Sequence, residues 1–350
     1  MNTKPSACPP GDAIRHALNR LVCAYVDLKI PVPEELAFME PDDKRGSVRP
    51  AAKGGPAPGS RRFIIPTCFS PLYSADTPTT SMRKLGPVAW HAVAQGFAEI
   101  EVPELIDPDK LRRLHAPEYV DDFLAGRQPL ASSQGWPWTP EIRDGVLAIN
   151  AGQLLGAELA MKHGIAANTG QGAHHAEYAR GGAFCTFNSL ALVASEHPEW
   201  KCLVIDVDTH EGNGVGEFAA RLDNLWNFTI FGSNFGGRGH SRHVKRRVKG
   251  PVASFAPYRK ALNEAFAFAE KVKPDLIQYN AGVDCYVEDG LDSVGLTAEM
   301  LFERDRLVFE FCKQTGSACL YSLAGGYLRD MDKLVSLHVG TFKAACAAWD

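Results

Sequence analysis

No apolar stretch in this chain approaches the roughly 20 residues of a membrane span, and its N-terminus has no secretory apolar core. There is no CxxC pair among the nine cysteines, and an odd, scattered set argues against a disulfide framework. Several of them, Cys68, Cys202 and Cys319 included, sit inside apolar runs, as buried thiols of a reducing compartment do. Charge bias is also missing: a net charge of -4 gives no general signal for nucleic acid or a membrane surface. No internal repeat is found. The expectation is a soluble cytoplasmic protein, and 350 residues with 45% apolar content suffice for one large domain with a small appendage.

Residues 1–62 differ from the rest. Asp12 can cap a helix whose apolar face is Ile14, Leu18, Leu21, Val22 and Tyr25, at amphipathic spacing. That helix is expected to dock on the main body or on a second subunit, which leaves an oligomer open. Asp42 to Arg62 is rich in proline, glycine and basic residues, has no periodicity, and reads as a linker. The main domain is expected to cover 63–350. Its strands are expected at Phe63–Phe69, Ala98–Val102, Ile165–Thr169, Cys202–Asp208, Trp226–Phe231, Leu276–Asn280 and Cys319–Leu323. Helices are expected over Ile142–Lys162, Tyr258–Lys271, Ala298–Lys313 and Asp330–Ala345. Continuous apolar strands between amphipathic helices predict an α/β fold with a parallel sheet covered on both faces. Gly126 to Pro140, with Trp136, Pro137 and Trp138, is a long loop expected to form a binding rim.

In such folds polar groups of fixed geometry gather beyond the carboxyl ends of the strands. His174 and His175 follow one apolar run in a glycine-rich loop, and Asp208-Thr-His210 ends the next. Asn280-Ala-Gly-Val-Asp284 ends a third. Asp208, His210 and Asp284 offer three ligands to one divalent cation and leave a position for water, the arrangement of a catalytic zinc site. Either histidine of the pair can act as general base. Tyr327, after Ala324-Gly-Gly, can donate to a polarised carbonyl. Asp206 and Asn213 flank the metal strand and can orient the two imidazoles. Taken singly, each feature is more often structural than catalytic. Their co-occurrence at successive strand ends is what points to a metal hydrolase.

The same residues carry a family resemblance. From about Phe63 to the C-terminus the chain resembles the histone deacetylases of the arginase–deacetylase superfamily, most closely the class IV branch. The blocks are His115-Ala-Pro-Glu-Tyr-Val120, Gly172-Ala-His-His-Ala176, Gly182-Ala-Phe-Cys-Thr-Phe-Asn188, Asp206-Val-Asp-Thr-His-Glu-Gly-Asn-Gly214, Tyr279-Asn-Ala-Gly-Val-Asp284 and Gly325-Gly-Tyr327. The resemblance implies a three-layer α/β sandwich around an eight-stranded parallel sheet. It implies zinc on Asp208, His210 and Asp284, His175 as base, His174 as its proton-handling neighbour and Tyr327 as oxyanion donor. Phe184 and Gly182 would line an acyl-lysine tunnel. A structural monovalent cation (K+) would sit near Asp206, Asp208 and His210, with Thr229 as a side-chain ligand.

The chain departs from that pattern in places. Glu211 replaces the usual second histidine after the metal histidine, and a change of packing rather than loss of metal is expected. Asp292-Ser293 replaces a glycine pair, which would alter the rim. Leu291 stands where polyamine deacetylases carry a glutamate, which argues against polyamines, and Gly212 stands where arginases need a further carboxylate. The basic run Arg238–Lys249 is expected to be a solvated loop, or an electropositive rim for an acidic peptide, acyl carrier or nucleic acid. Without interleaved aromatics, nucleic acid carries little weight.

The expected function is removal of an acyl group, acetyl or a longer fatty chain, from the ε-amine of lysine in proteins or peptides. A deacylase of a small acyl-amine, or a non-catalytic binding module on the same fold, are the alternatives.

Overall fold

The computed structural model describes residues 21–25, 28, 30, 32, 33, 63–291 and 294–350. Most of the proposed N-terminal helix, the linker 42–62 and Asp292-Ser293 lie outside them. Residues 21–25 are helical, and Leu21, Val22 and Tyr25 are buried against the main body, with the Tyr25 ring 6.4 Å from that of Phe69.

Eight strands form one sheet in the order β2-β1-β3-β8-β7-β4-β5-β6, and every pairing is parallel. In chain order they are Ile65–Cys68 (β1), Ala98–Glu101 (β2), Ile165–Gln171 (β3), Cys202–Asp206 (β4), Leu225–Phe231 (β5), His243–Arg247 (β6), Leu276–Ala281 (β7) and Ala318–Leu323 (β8). Every residue of β4, β7 and β8 is buried, because helices cover both faces. The helix Pro140–His163 packs on β3 and β8, while Ala298–Thr315 packs on β7 and β8. The sandwich is therefore the α/β, arginase/deacetylase-like fold expected from sequence.

Local chemistry marks where the helices begin and end. Thr139 caps Pro140–His163 by accepting from the Ile142 amide, and Gly164 closes it with a left-handed φ of 83°. Thr297 and Asp330 cap the last two helices in the same way. Expected and observed strands agree to within a few residues at seven positions. The eighth corrects the reading of the basic run, which is not wholly a loop: His243–Arg247 is the edge strand β6, paired with β5. Its sequence hides it because a charged edge strand has no apolar alternation. The eight described cysteines are free thiols, and all but Cys23 are buried. No described helix is long and apolar enough to cross a membrane.

Candidate active site

Four adjacent strands, β3, β8, β7 and β4, deliver the site residues from their carboxyl ends. The register sets Asp206 of β4 beside Asn280 of β7, and Asn280 beside Ser322 of β8. Between β3 and β8 the register shifts after Asn168, just before the loop that carries the histidine pair.

Asp208 and His210 leave β4, and Asp284 follows β7. Their ligand atoms all lie within 4.8 Å of one another. His210 Nδ1 is 2.9 Å from Asp208 Oδ1 and 3.0 Å from Asp284 Oδ2. Backbone amides fix the remaining carboxylate oxygens: Gly325 donates to Asp208 Oδ2 at 2.7 Å and Thr209 to Asp284 Oδ1 at 2.9 Å. Asp284 Oδ2 is buried, with the His210 ring nitrogen as its polar neighbour. Burial raises the Asp284 carboxyl to about 8, with Asp208 adding to the shift. For His210, burial opposes the charge, but hydrogen bonds to Asp208 and Asp284 prevail and push it to about 11. Two buried carboxylates and one imidazole, converging within 4.8 Å, form a donor set that fits a divalent cation.

The two histidines beside this cluster have opposite characters. His174 Nδ1 lies 2.8 Å from Asp206 Oδ2, and its Nε2 is 3.8 Å from Asp208. Burial works against its charge, yet Asp206 and Asp208 outweigh that and lift it to about 9. His175 Nδ1 lies 2.7 Å from Asn213 Oδ1, and Asn213 in turn donates to Glu177. Burial, reinforced by charged His174 with its ring 4.0 Å away, holds His175 well below the usual imidazole range. Asp206 and Asn213 thus orient one ring each.

Tyr327 follows Gly325-Gly326 at the end of β8, and its ring is 6.3 Å from that of His210. Burial and then Asp208 and Asp284 keep its phenol protonated. Asp289 ties this segment down by accepting from the Tyr327 amide at 2.7 Å and from the Leu291 amide at 3.1 Å. Leu291 itself is 49% exposed.

Phe184 projects from a tight hairpin closed by reciprocal Gly182–Cys185 hydrogen bonds. Ala183 and Phe184 take φ of 41° and 67°, unfavourable for residues with side chains and accepted here to aim the ring. Trp136 stacks behind Phe184 at 5.6 Å, and the Gln134 carbonyl accepts from the Phe184 amide. Trp136 is buried, so this part of the 126–140 loop props the wall from inside. Gly135 and Pro137, on either side of Trp136, are exposed. Thr229 is buried beside Asp206, its hydroxyl 3.4 Å from the Gly212 amide.

Three contributors were not legible in the sequence. Phe235, beyond β5, stacks on His175 at 4.2 Å and stands edge-on to His210 at 5.5 Å. Lys84 is buried, with Nζ donating to the Ala324 carbonyl beneath the Tyr327 turn, and burial lowers it to about 8. Arg304, also buried, donates at 2.7 Å to the carbonyl of Gly282, between β7 and Asp284. A lone lysine before a helix and an Arg-Asp pair within one carry no motif.

With this geometry in hand, known proteins place the chain. Residues 83–341 match the histone deacetylase domain. An uncharacterized protein of Picosynechococcus sp. is 29% identical over 71% of this chain and 85% of its own length. A probable deacetylase of Methanothermobacter thermautotrophicus is 28% identical over 64% of this chain and 74% of its own. Histone deacetylase 6 of Arabidopsis thaliana is 34% identical over 58% of this chain, and the match spans only 47% of that longer protein. Among solved structures, the acetylpolyamine aminohydrolase of Burkholderia pseudomallei superposes with a TM-score of 0.70 over 81% of this chain and 99% of its own. At 17% identity that likeness speaks for the fold alone. The domain match covers well over half the sequence and contains every residue assembled above, so the chain belongs to the histone deacetylase family.

Proposed function

We propose that this chain is a zinc-dependent deacylase that hydrolyses the amide between an acyl group and the ε-amine of lysine in proteins or peptides. The observation that carries this reading is the convergence of Asp208, His210 and Asp284 beside a neutral His175 and a protonated Tyr327. Asp208, His210 and Asp284 would hold the ion, which supplies a water of pKa about 7 and polarises the amide carbonyl.

The protein's own groups do the rest. His175 keeps its proton on Nδ1, donating it as a hydrogen bond to Asn213 Oδ1, which leaves Nε2 as the basic nitrogen. That nitrogen takes a proton from the attacking water and later passes it to the departing amine. His174 carries the charge that keeps its neighbour neutral, held in place by Asp206. Tyr327 donates its hydroxyl to the carbonyl oxygen as negative charge develops there. Phe184 and Phe235 flank the approach and suit the extended, apolar stem of an acylated lysine.

A small acylated amine is the second reading, since a slot flanked by Phe184 and Phe235 would take any extended acyl-amine stem. Exposed Leu291, however, offers no charge to a cationic substrate. Metal analysis with a panel of lysine peptides bearing acetyl to myristoyl groups, plus an N-acetylated diamine, tests both. One zinc per chain is expected, with kcat/KM rising along the series as each buried CH₂ contributes up to about 0.8 kcal/mol. Acetyl turned over much faster than octanoyl would reject the long-chain preference. Hydrolysis of the diamine alone would reject the lysine reading.

A further inference from the structure

Two features have no part in that chemistry: the acidic residue after His210 and the basic run at the sheet edge. They meet inside the protein. The Glu211 carboxylate is fully buried, and Lys245, in the middle of β6, brings Nζ to 2.7 Å from its Oε1. The same ammonium donates to the Gly237 carbonyl at 2.6 Å and to Asn234 Oδ1 at 3.2 Å. The other oxygen, Glu211 Oε2, accepts from the Phe235 amide at 3.0 Å. Gly237 runs so close to this pair that a Cβ there would lie 2.5 Å from Glu211 Oε1. One ion pair therefore fastens three of the four residues from Asn234 to Gly237.

This short loop carries Phe235, whose side chain lies over His175 and stands edge-on to His210 at 5.5 Å. Phe235 is 44% exposed, so core packing does not hold its ring in place. Its backbone does, through Glu211 and Lys245. An ion pair that served only to close the sheet edge would have no need to reach this loop at three points.

We infer that Glu211 and Lys245 are positioning residues that clamp the Asn234–Gly237 loop and so set Phe235 as a wall of the substrate slot. The inference rests on the proposed deacylase reading only for its kinetic consequence. The clamp also has a readout free of activity, amide hydrogen exchange across residues 233–238.

Lys245→Met is the direct test, with zinc content, exchange and steady-state kinetics measured on the full chain. Exchange in 233–238 should accelerate at least about tenfold while β4 and β5 stay protected, as for local opening. KM for an acyl-lysine peptide should rise about tenfold with kcat changed far less, the signature of lost positioning in binding. Zinc content should stay at the wild-type level, and Lys245→Arg should restore both readouts in large part. A pair that only stabilises the edge would lower Tm and leave KM and the exchange of this segment alone; that result overturns the inference. If Lys245→Met fails to fold, the double variant Glu211→Gln/Lys245→Met removes both charges, and the same two readouts decide. Should the wild-type protein hydrolyse no acylated amine, the deacylase reading falls, and the exchange data alone decide the clamp.

Discussion

The backbone of Gly325 passes so close to Asp284 that a Cβ on it would lie 2.1 Å from the carboxylate Oδ2, and its amide donates to Asp208 at 2.7 Å. One glycine thus shapes the cradle of both carboxylates. Gly325→Ala is expected to leave a folded protein with unchanged circular dichroism. It should lose about 10–100-fold in metal affinity, the usual effect of disturbing the groups that orient ligands. Chelator competition with the purified variant measures this, and wild-type affinity would refute it.

Asp284→Asn keeps the size of the side chain and removes one charge from the cluster. The variant should fold, because the amide oxygen can still accept from Thr209. It should come off a metal column essentially without zinc and show no turnover. Elemental analysis of the variant beside wild-type protein checks the ligand assignment.

Tyr327→Phe deletes one hydroxyl from a ring held between Phe184 and His210. Zinc content and Tm should stay within error of wild type, while kcat falls by about 10²–10³. A variant with wild-type kcat would remove Tyr327 from the mechanism and leave the metal site standing.

His115 gives a pH dependence remote from the metal cluster. Its Nδ1 faces the carbonyls of Glu177 and Tyr178, and its Nε2 accepts from the Asn188 amide at 3.0 Å, which locks the ring neutral. Burial lowers it to about 4 against the opposing pull of those carbonyls. The unfolded chain, with an imidazole pKa of about 6.5, takes up the proton first as pH falls. The contribution to stability is therefore whole above about pH 6.5 and shrinks toward pH 4, by about 3 kcal/mol in all. Urea unfolding between about pH 7.5 and 4.5 should show this slope, and His115→Gln should flatten it in part.

The parts of this molecule that could be read in advance were those with a periodicity or a spacing. Buried parallel strands announce themselves as apolar runs such as Cys202-Leu-Val-Ile, and Asp208-Thr-His210 at such a run's end is a local pattern. What escaped depends on distant partners. Lys245 looks like one charge in a basic stretch until β6 pairs with β5 and brings it to Glu211. Phe235 sits among polar and glycine residues, and only the end of β5 places it over His175. Arg304 reads as a solvent-facing helix residue, whereas it is buried beneath the Asp284 loop.

Strand order also bears on how the protein is made. β4 emerges from the ribosome long before its central neighbours, and Gly325 follows Asp208 by 117 positions. A nascent chain halted anywhere before that glycine has no finished cradle for a cation, however well the strands before it have formed. On the proposed reading, loading would wait for the segment that carries Gly325. On the proposed reading a bound ion would join segments from β4 and β7, and metal supply would then govern the lifetime of the whole fold against proteolysis by mass action.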